Sequence, residues 1–104
     1  MKIKKATAVY TGGGIWLFYG KIKNGNYFLM DDNGYVVILN KNPKNLDEST
    51  YEEWQKLHMV EELVGEKRIK FANKVLDYLI DNPKHRGGMV KEEIEIYREW
   101  VIKE

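Results

Sequence analysis

The first forty residues alternate between runs of apolar residues and short turns rich in glycine and asparagine. The runs are dense in Val, Ile, Tyr, Phe and Trp, the residue types that favour extended strands. Runs of this length bounded by turn residues are typical of β-strands. The pattern therefore predicts four strands, over residues 4–11, 15–22, 27–31 and 35–39.

The turns between these runs predict an antiparallel meander. Asn24-Gly25 and Asn33-Gly34 are hairpin sequences, because both central residues of a type I′ turn need a positive φ. If both are two-residue loops and residues 12–14 form a three-residue loop, the register follows by counting outward from each turn. The predicted pairs are Tyr10 with Trp16, Ala8 with Phe18, Ile22 with Tyr27, Gly20 with Leu29, and Leu29 with Ile38.

This register leaves neither face of the sheet polar. The first face carries Ala6, Ala8, Tyr10, Trp16, Phe18, Ile22, Tyr27, Leu29, Val36 and Ile38. The second face carries Lys5, Thr7, Val9, Thr11, Ile15, Leu17, Tyr19, Lys21, Phe28, Met30, Tyr35, Val37 and Leu39. An antiparallel sheet with one solvated side alternates more cleanly, so both faces are expected to need a cover.

The remaining sequence predicts helices. Ser49-Thr50-Tyr51-Glu52 fits a capping box, which predicts a short helix over about residues 50–57. Apolar residues at three- and four-residue spacing predict a long helix over residues 66–81, ended by Asn82-Pro83. Its Leu76 and Leu79 are expected to be buried against the sheet face that carries Trp16 and Phe18. A last helix is predicted over about residues 91–103, with Ile94, Tyr97, Trp100 and Val101 on its apolar side.

Strands followed by helices indicate an α+β fold, a four-stranded antiparallel meander followed by about three helices packed on one sheet face. With 104 residues and 43% hydrophobic composition, one domain over residues 1–104 is expected. Its strand half covers residues 1–40 and its helical half residues 47–104. No run approaches the roughly 18 apolar residues of a membrane span, and the glycines at 12–14 interrupt the only stretch that begins like a signal peptide. With no cysteine, the chain is expected to be cytoplasmic.

Three motifs suggest ligands but have simpler explanations. Residues 12–14 precede a strand, whereas phosphate-binding glycine loops precede a helix. Asp31-Asp32-Asn33-Gly34 contains part of a calcium loop, but Asn40 stands where that loop requires glutamate. His58 with Glu61 or Glu62, and His85 as a second imidazole, lack the spacing of a metal site, so we expect no metal and no cofactor.

Covalent catalysis has few candidate residues. The chain contains no cysteine, and its only serine, Ser49, is the predicted helix cap. No catalytic residue is therefore predicted, and an enzyme with an unrecognised acid–base site is only the third hypothesis.

The first hypothesis is a non-enzymatic protein-interaction module. The helices need only one sheet face, so the second face is covered either by the chain itself or by a partner. A protein partner or a second copy of the chain would then contact one patch. The predicted partner-binding residues are Tyr19, Phe28, Met30, Tyr35 and Val37.

The alternative is a protein that binds single-stranded nucleic acid. Residues 1–46 carry seven lysines and two aspartates, whereas residues 47–104 carry ten basic and fourteen acidic residues. Aromatic rings beside a positive groove stack single-stranded bases. Lys2 and Lys4 add positive charge, but the expected signature is a concave face that joins tyrosine rings with Lys5, Lys21 and Lys23.

Several stretches resemble small uncharacterised proteins of gut-type Gram-positive bacteria and their mobile elements. They are residues 11–16, Gly34-Tyr35-Val36, Glu53-Trp54-Gln55 and residues 93–100. The resemblance spans most of the chain and implies a bacterial or phage-like origin. It also implies an accessory or inhibitory role, but it brings no activity with it.

Overall fold

The protein has an α+β fold built on a five-stranded antiparallel sheet. The computed structural model describes residues 1–11, 13–43 and 51–101, without the side chains of Tyr51, Glu52 and Trp54. The strands lie side by side in chain order: β1 Ile3–Tyr10, β2 Trp16–Ile22, β3 Tyr27–Asp31, β4 Val36–Leu39 and β5 Met59–Leu63. The helices are α1 Tyr51–His58, α2 Gly65–Asp81 and α3 Lys91–Val101, with a 3₁₀ turn at Pro83–His85. The predicted cap at Ser49 and the end of the last helix at 102–103 lie outside the described residues.

Four of these strands match the sequence prediction, and β5 was missed. β5 pairs with β4 at the edge of the sheet, beginning where the Asn40 N–H donates to the His58 carbonyl at 3.0 Å. Only Leu63 of β5 is buried, so the strand has no apolar alternation for a sequence pattern to reveal. Hydrogen bonds to β4, not side-chain burial, define this element.

The two Asn-Gly turns are three-residue loops, one residue longer than predicted. In the first, the Ile22 N–H donates to Asn26 O at 2.9 Å and the Gly25 N–H to Ile22 O at 3.1 Å. Gly25 has a φ of 98°. This is a four-residue turn whose last residue lies in the left-handed region, a common hairpin connection.

The second turn repeats this geometry. The Asp31 N–H donates to Tyr35 O at 3.1 Å, and the Gly34 N–H donates to Asp31 O at 3.1 Å. Gly34 has a φ of 87°. The Asp31 carboxylate accepts the N–H groups of Asn33 and Tyr35 at 2.9 and 3.0 Å. The stretch that resembles a calcium loop is therefore a hairpin turn closed by its own aspartate.

Because both loops are one residue longer than predicted, the observed register differs from the predicted one and the side chains of β3 exchange faces. The pairs predicted across β1 and β2, Tyr10 with Trp16 and Ala8 with Phe18, are confirmed. The pairs predicted for β3 are each wrong by one residue; the observed pairs are Lys21 with Tyr27, Gly20 with Phe28, Tyr19 with Leu29, and Leu29 with Val37. A slip of one residue moves every side chain of a strand to the other face. Because the two errors cancel at β4, only β3 is inverted relative to the prediction.

The inversion places Phe28 and Met30 in the helix-side core, not on the second face. Both are fully buried, and the Phe28 ring meets Phe71 of α2 edge to face at a centroid distance of 5.0 Å. The predicted burial of Leu76 and Leu79 against the face that carries Phe18 is confirmed. This core combines one sheet face with α2 and α3: Ala6, Ala8, Phe18, Ile22, Phe28, Met30, Val36, Ile38, Leu63, Phe71, Ala72, Val75, Leu76, Leu79, Met89, Ile94 and Val101.

Arg68 of α2 joins the second turn to α3. Its Nη1 donates to the Gly34 carbonyl at 3.0 Å and to the Val101 carbonyl at 2.8 Å. A Cβ atom on Gly34 would lie 2.7 Å from this Nη1 and 3.0 Å from the Val101 Cβ. Gly34 therefore serves both the positive φ and the close packing, whereas a Cβ on Gly25 would meet open space.

Alanine substitutions at the two turn glycines separate the cost of a positive φ from the cost of lost packing space. Gly25→Ala is expected to cost about 1–2 kcal/mol of unfolding free energy, because alanine is strained in the left-handed region. Gly34→Ala adds the collision with Arg68 and Val101 and is expected to cost about 3 kcal/mol or more. Urea denaturation measures both, with Gly25→Asn as the milder control. Equal losses at the two positions would contradict the packing around Gly34.

The inverted register is tested by residues that the prediction placed together on the second face. Phe28→Ala is expected to lower the unfolding free energy by about 3–5 kcal/mol, as for other buried phenylalanines. Tyr35→Ala, at an exposed ring, is expected to change it by no more than about 1 kcal/mol. Guanidinium denaturation of both variants measures the two losses of unfolding free energy. Comparable losses would mean that the two rings share an environment, as they do in the predicted register.

Candidate functional site

The centre of the second sheet face is covered by the chain itself. Leu17, Leu29, Val37 and Leu39 form a second apolar cluster, and each is at most 1% exposed. The buried apolar residues of α2 and α3 belong to the first cluster, while α1 lies against β4. A protein partner is therefore not needed to bury this face.

The five residues predicted to bind a partner do not form one patch. Phe28 and Met30 point into the opposite core, and Val37 is fully buried. Tyr19 lies half-buried on β2, whereas Tyr35 follows the second turn beside Glu62 of β5. Burial, and then the Glu62 carboxylate, raise the pKa of Tyr35. The protein-partner hypothesis remains a prediction, but the shared surface on which it rested is lost.

An open cleft remains on the second face, over β1, β2 and β3. Its volume is about 390 Å³, and it is lined by Lys4, Lys5, Thr7, Tyr19, Gly20, Lys21, Tyr27 and Asn42. The strand register explains this grouping. Lys5, Lys21 and Tyr27 form one cross-strand row, and Thr7 and Tyr19 form the next. We refer to this site as the lysine–tyrosine cleft.

A β-bulge brings Lys4 into the cleft beside Lys5. The register shifts between Ile3, which pairs with Ile22, and Lys5, which pairs with Lys21. Simple alternation would send Lys4 and Lys5 to opposite faces, but a bulge re-aims side chains at an edge strand. Both lysines consequently line the same cavity.

Gly20 makes the close approach of β1 possible. A Cβ at this position would collide with the Lys5 carbonyl oxygen and would lie 2.9 Å from the Ala6 Cα. These are backbone atoms of the paired strand, so a side chain could not be accommodated by a rotamer change. Gly20 thus permits the local geometry that places Lys4 and Lys5 together.

The charge in the cleft is positive and sits next to aromatic rings. The Lys21 Nζ lies 5.5 Å from the centroid of the Tyr27 ring, a cation–π distance. The described lining residues include three lysines and no carboxylate. The arrangement suits an anionic ligand that also has a flat, stackable part.

The cleft contains part of the site that the sequence predicted. Lys5 and Lys21 are brought together, whereas Lys23 is exposed on the first turn and is not among the described lining residues. Tyr27 was not predicted, because the two-residue loop placed it on the other face. Only the true loop length, which the Asn-Gly pair does not encode, would have revealed it.

The described part of the chain was also searched for metal-ion sites and for membrane-spanning helices. Residues 1–11, 13–43 and 51–101 contain no group of three or more histidines and carboxylates placed to hold a metal ion. Among the helices of the same residues, none is both long and apolar enough to cross a bilayer.

Searches of protein-family models, of curated proteins and of solved structures found no significant match to this chain. The resemblance to small proteins of Gram-positive bacteria and their mobile elements therefore stays a prediction. The assignment of function depends on the geometry of the cleft.

The role of Gly20 is tested by adding one methyl group. Gly20→Ala is expected to cost about 3 kcal/mol or more, because the collision is with strand backbone. Hydrogen exchange should show the loss concentrated in β1, with residues 5–8 exchanging faster than α2. A variant with native stability and native protection in β1 would show that β1 and β2 are not this close.

Proposed function

We propose that the protein binds single-stranded nucleic acid in the lysine–tyrosine cleft. The observation that carries this proposal is the convergence of Lys4, Lys5 and Lys21 on a cavity that also presents Tyr19 and Tyr27. Proteins that bind single strands without strong sequence preference combine a positive groove along the backbone with rings on which bases stack.

The parts of a nucleotide have distinct counterparts in the cleft. Lysine ammonium groups neutralise phosphates, and the flexible lysine stems tolerate a variable backbone path. Tyr27 and Tyr19 offer ring surface for bases, and Thr7 and Asn42 offer polar groups at the same cavity. The Lys21 ammonium group lies over the Tyr27 ring, so a base that stacks on this face would displace it, and the displaced group would remain close enough to contact the phosphate of the same nucleotide.

The size of the cleft favours a single strand over a duplex. A cavity of about 390 Å³ lies in the range of small-ligand sites. Double-stranded DNA is instead read by an element that enters a groove, usually a protruding helix or a β-ribbon. An open cavity of this volume on the sheet surface suits one or two splayed bases with their phosphates.

The proposal is tested by fluorescence anisotropy with a fluorescein-labelled decamer of deoxythymidine. Tyr27→Leu is expected to weaken binding by about 1–3 kcal/mol, the contribution of one stacked base. Lys21→Ser and Lys5→Ser are each expected to reduce the slope of log K against log salt by about 0.7, for one lost phosphate contact on a single strand.

Lys84→Ser is the matched control, because it removes the same charge from the exposed 3₁₀ turn. It should leave both affinity and salt slope nearly unchanged. The same titration with a uridine decamer compares RNA with DNA. Binding that is unaffected by Tyr27→Leu and equally sensitive to Lys84→Ser would contradict the proposal, since the attraction would then be general and not located in the cleft.

A further inference from the structure

A separate surface carries four aromatic side chains, of which two are exposed and two are half-buried against the core. The aromatic cluster consists of Tyr10, Trp16, Tyr97 and Trp100. Tyr10 and Trp16 pack edge to face at a centroid distance of 5.4 Å, and Tyr97 and Trp100 do the same at 5.3 Å. Tyr97 also packs on Phe18, two residues along β2 from Trp16. The cluster therefore joins the hairpin of β1 and β2 to α3.

The exposure of these rings is unusual for a helix that already has a buried face. α3 packs through Ile94 and Val101, yet Ile96 and Trp100, one turn apart on another side, are each 52% exposed. Tyr10 is 53% exposed. Surface helices normally carry polar residues at such positions. Tryptophan and tyrosine are the residues most often found at the energetic centres of protein interfaces.

Carboxylates border the same rings. The Asp32 Oδ2 accepts the backbone N–H of Trp16 at 3.2 Å, and Glu93 lies one helical turn before Tyr97. Burial raises the pKa of the Tyr97 hydroxyl, and the charges of Asp32 and Glu93 raise it further. The adjacent cation on α3, Arg98, is engaged elsewhere, since it binds Asp77 at 2.7 Å and Asn73 at 2.8 Å on α2. Two carboxylates, those of Asp32 and Glu93, thus lie near the Tyr97 hydroxyl.

We propose that the aromatic cluster docks a basic peptide segment of a partner protein, with an arginine or lysine side chain against the rings between Asp32 and Glu93. The faces of aromatic rings attract cations, and tryptophan and tyrosine are the strongest attractors in proteins. The aliphatic stem of the same side chain would cover Ile96 and Trp100, as long basic side chains do on apolar surfaces.

The charge of this surface separates it from the lysine–tyrosine cleft. Asp32 and Glu93 repel phosphates, so the aromatic cluster is not a continuation of a nucleic-acid path. A flat guanidinium can stack on a ring and pair with a carboxylate at once. Arginine is therefore the preferred anchor, and this interaction does not depend on nucleic-acid binding.

The test uses the full chain and a fluorescein-labelled peptide of five Arg-Gly repeats, followed by anisotropy. Saturable binding is expected, weakened about tenfold or more by Trp100→Ala, the usual effect of losing an aromatic anchor. Glu93→Gln keeps its hydrogen-bonding ability and should weaken binding a few fold. Glu66→Gln, a matched charge loss at the start of α2, should not change it.

Three outcomes would overturn the proposal. They are equal binding of a peptide of five Glu-Gly repeats, no effect of Trp100→Ala, and a dimer in sedimentation that Trp100→Ala dissociates without peptide. The last would make a second copy the occupant. Trp100→Phe retains a ring and should keep most of the affinity. Ile96→Ser, at an exposed position on the same side of α3, should weaken binding and replaces the alanine variant if thermal melting shows that variant unfolded. Lys21→Ser should leave peptide binding intact, which separates this result from the outcome at the cleft.

Discussion

The positive φ of two turn glycines is the constraint on which the rest of the molecule depends. Gly25 and Gly34 each close a three-residue loop, and each loop shifts its hairpin by one residue. The shift turns β3 so that Phe28 meets α2 and Tyr27 stands beside Lys21. The same backbone feature therefore builds the helix-side core and one wall of the candidate site, because neighbouring residues of a strand point to opposite faces.

The second face shows how one sheet surface is divided between folding and a candidate function. Its centre is a closed apolar cluster around Leu29 and Val37, which stabilises the sheet by hydrophobic burial. Towards β1 the apolar side chains give way to lysines and tyrosines around an open cavity. Gly20 and the bulge before Lys5 make this corner possible, since they let the edge strand approach closely and redirect a side chain. Charged residues on β1 also protect the free sheet edge from unwanted pairing.

The net charge of +1 conceals two surfaces of opposite character. The lysine–tyrosine cleft belongs to the basic strand half, whereas the aromatic cluster is bordered by Asp32 and Glu93. Both surfaces place aromatic rings beside charged groups, but the charged groups differ in sign. Lysines beside rings favour an anion with stackable bases, and carboxylates beside rings favour a cation. A protein with both surfaces would be able to hold an anionic and a basic ligand without competition between them.

The sequence alone determined those features that depend on local periodicity. It predicted four strands, the helices, the pairing of β1 with β2, and the burial of Leu76 and Leu79, because apolar spacing and turn residues are properties of short segments. It also predicted that Lys5, Lys21 and Lys23 lie together, and of these the strand register pairs Lys5 with Lys21. The tertiary structure decided the rest. An Asn-Gly pair fits both a two-residue and a three-residue hairpin loop, so only the structure showed the three-residue loops that turn Phe28 and Met30 into the helix-side core and Tyr27 to the other face. β5 is defined by hydrogen bonds to β4, and Lys4 lines the cleft next to a β-bulge. Neither feature produces a periodic pattern of apolar residues in the sequence.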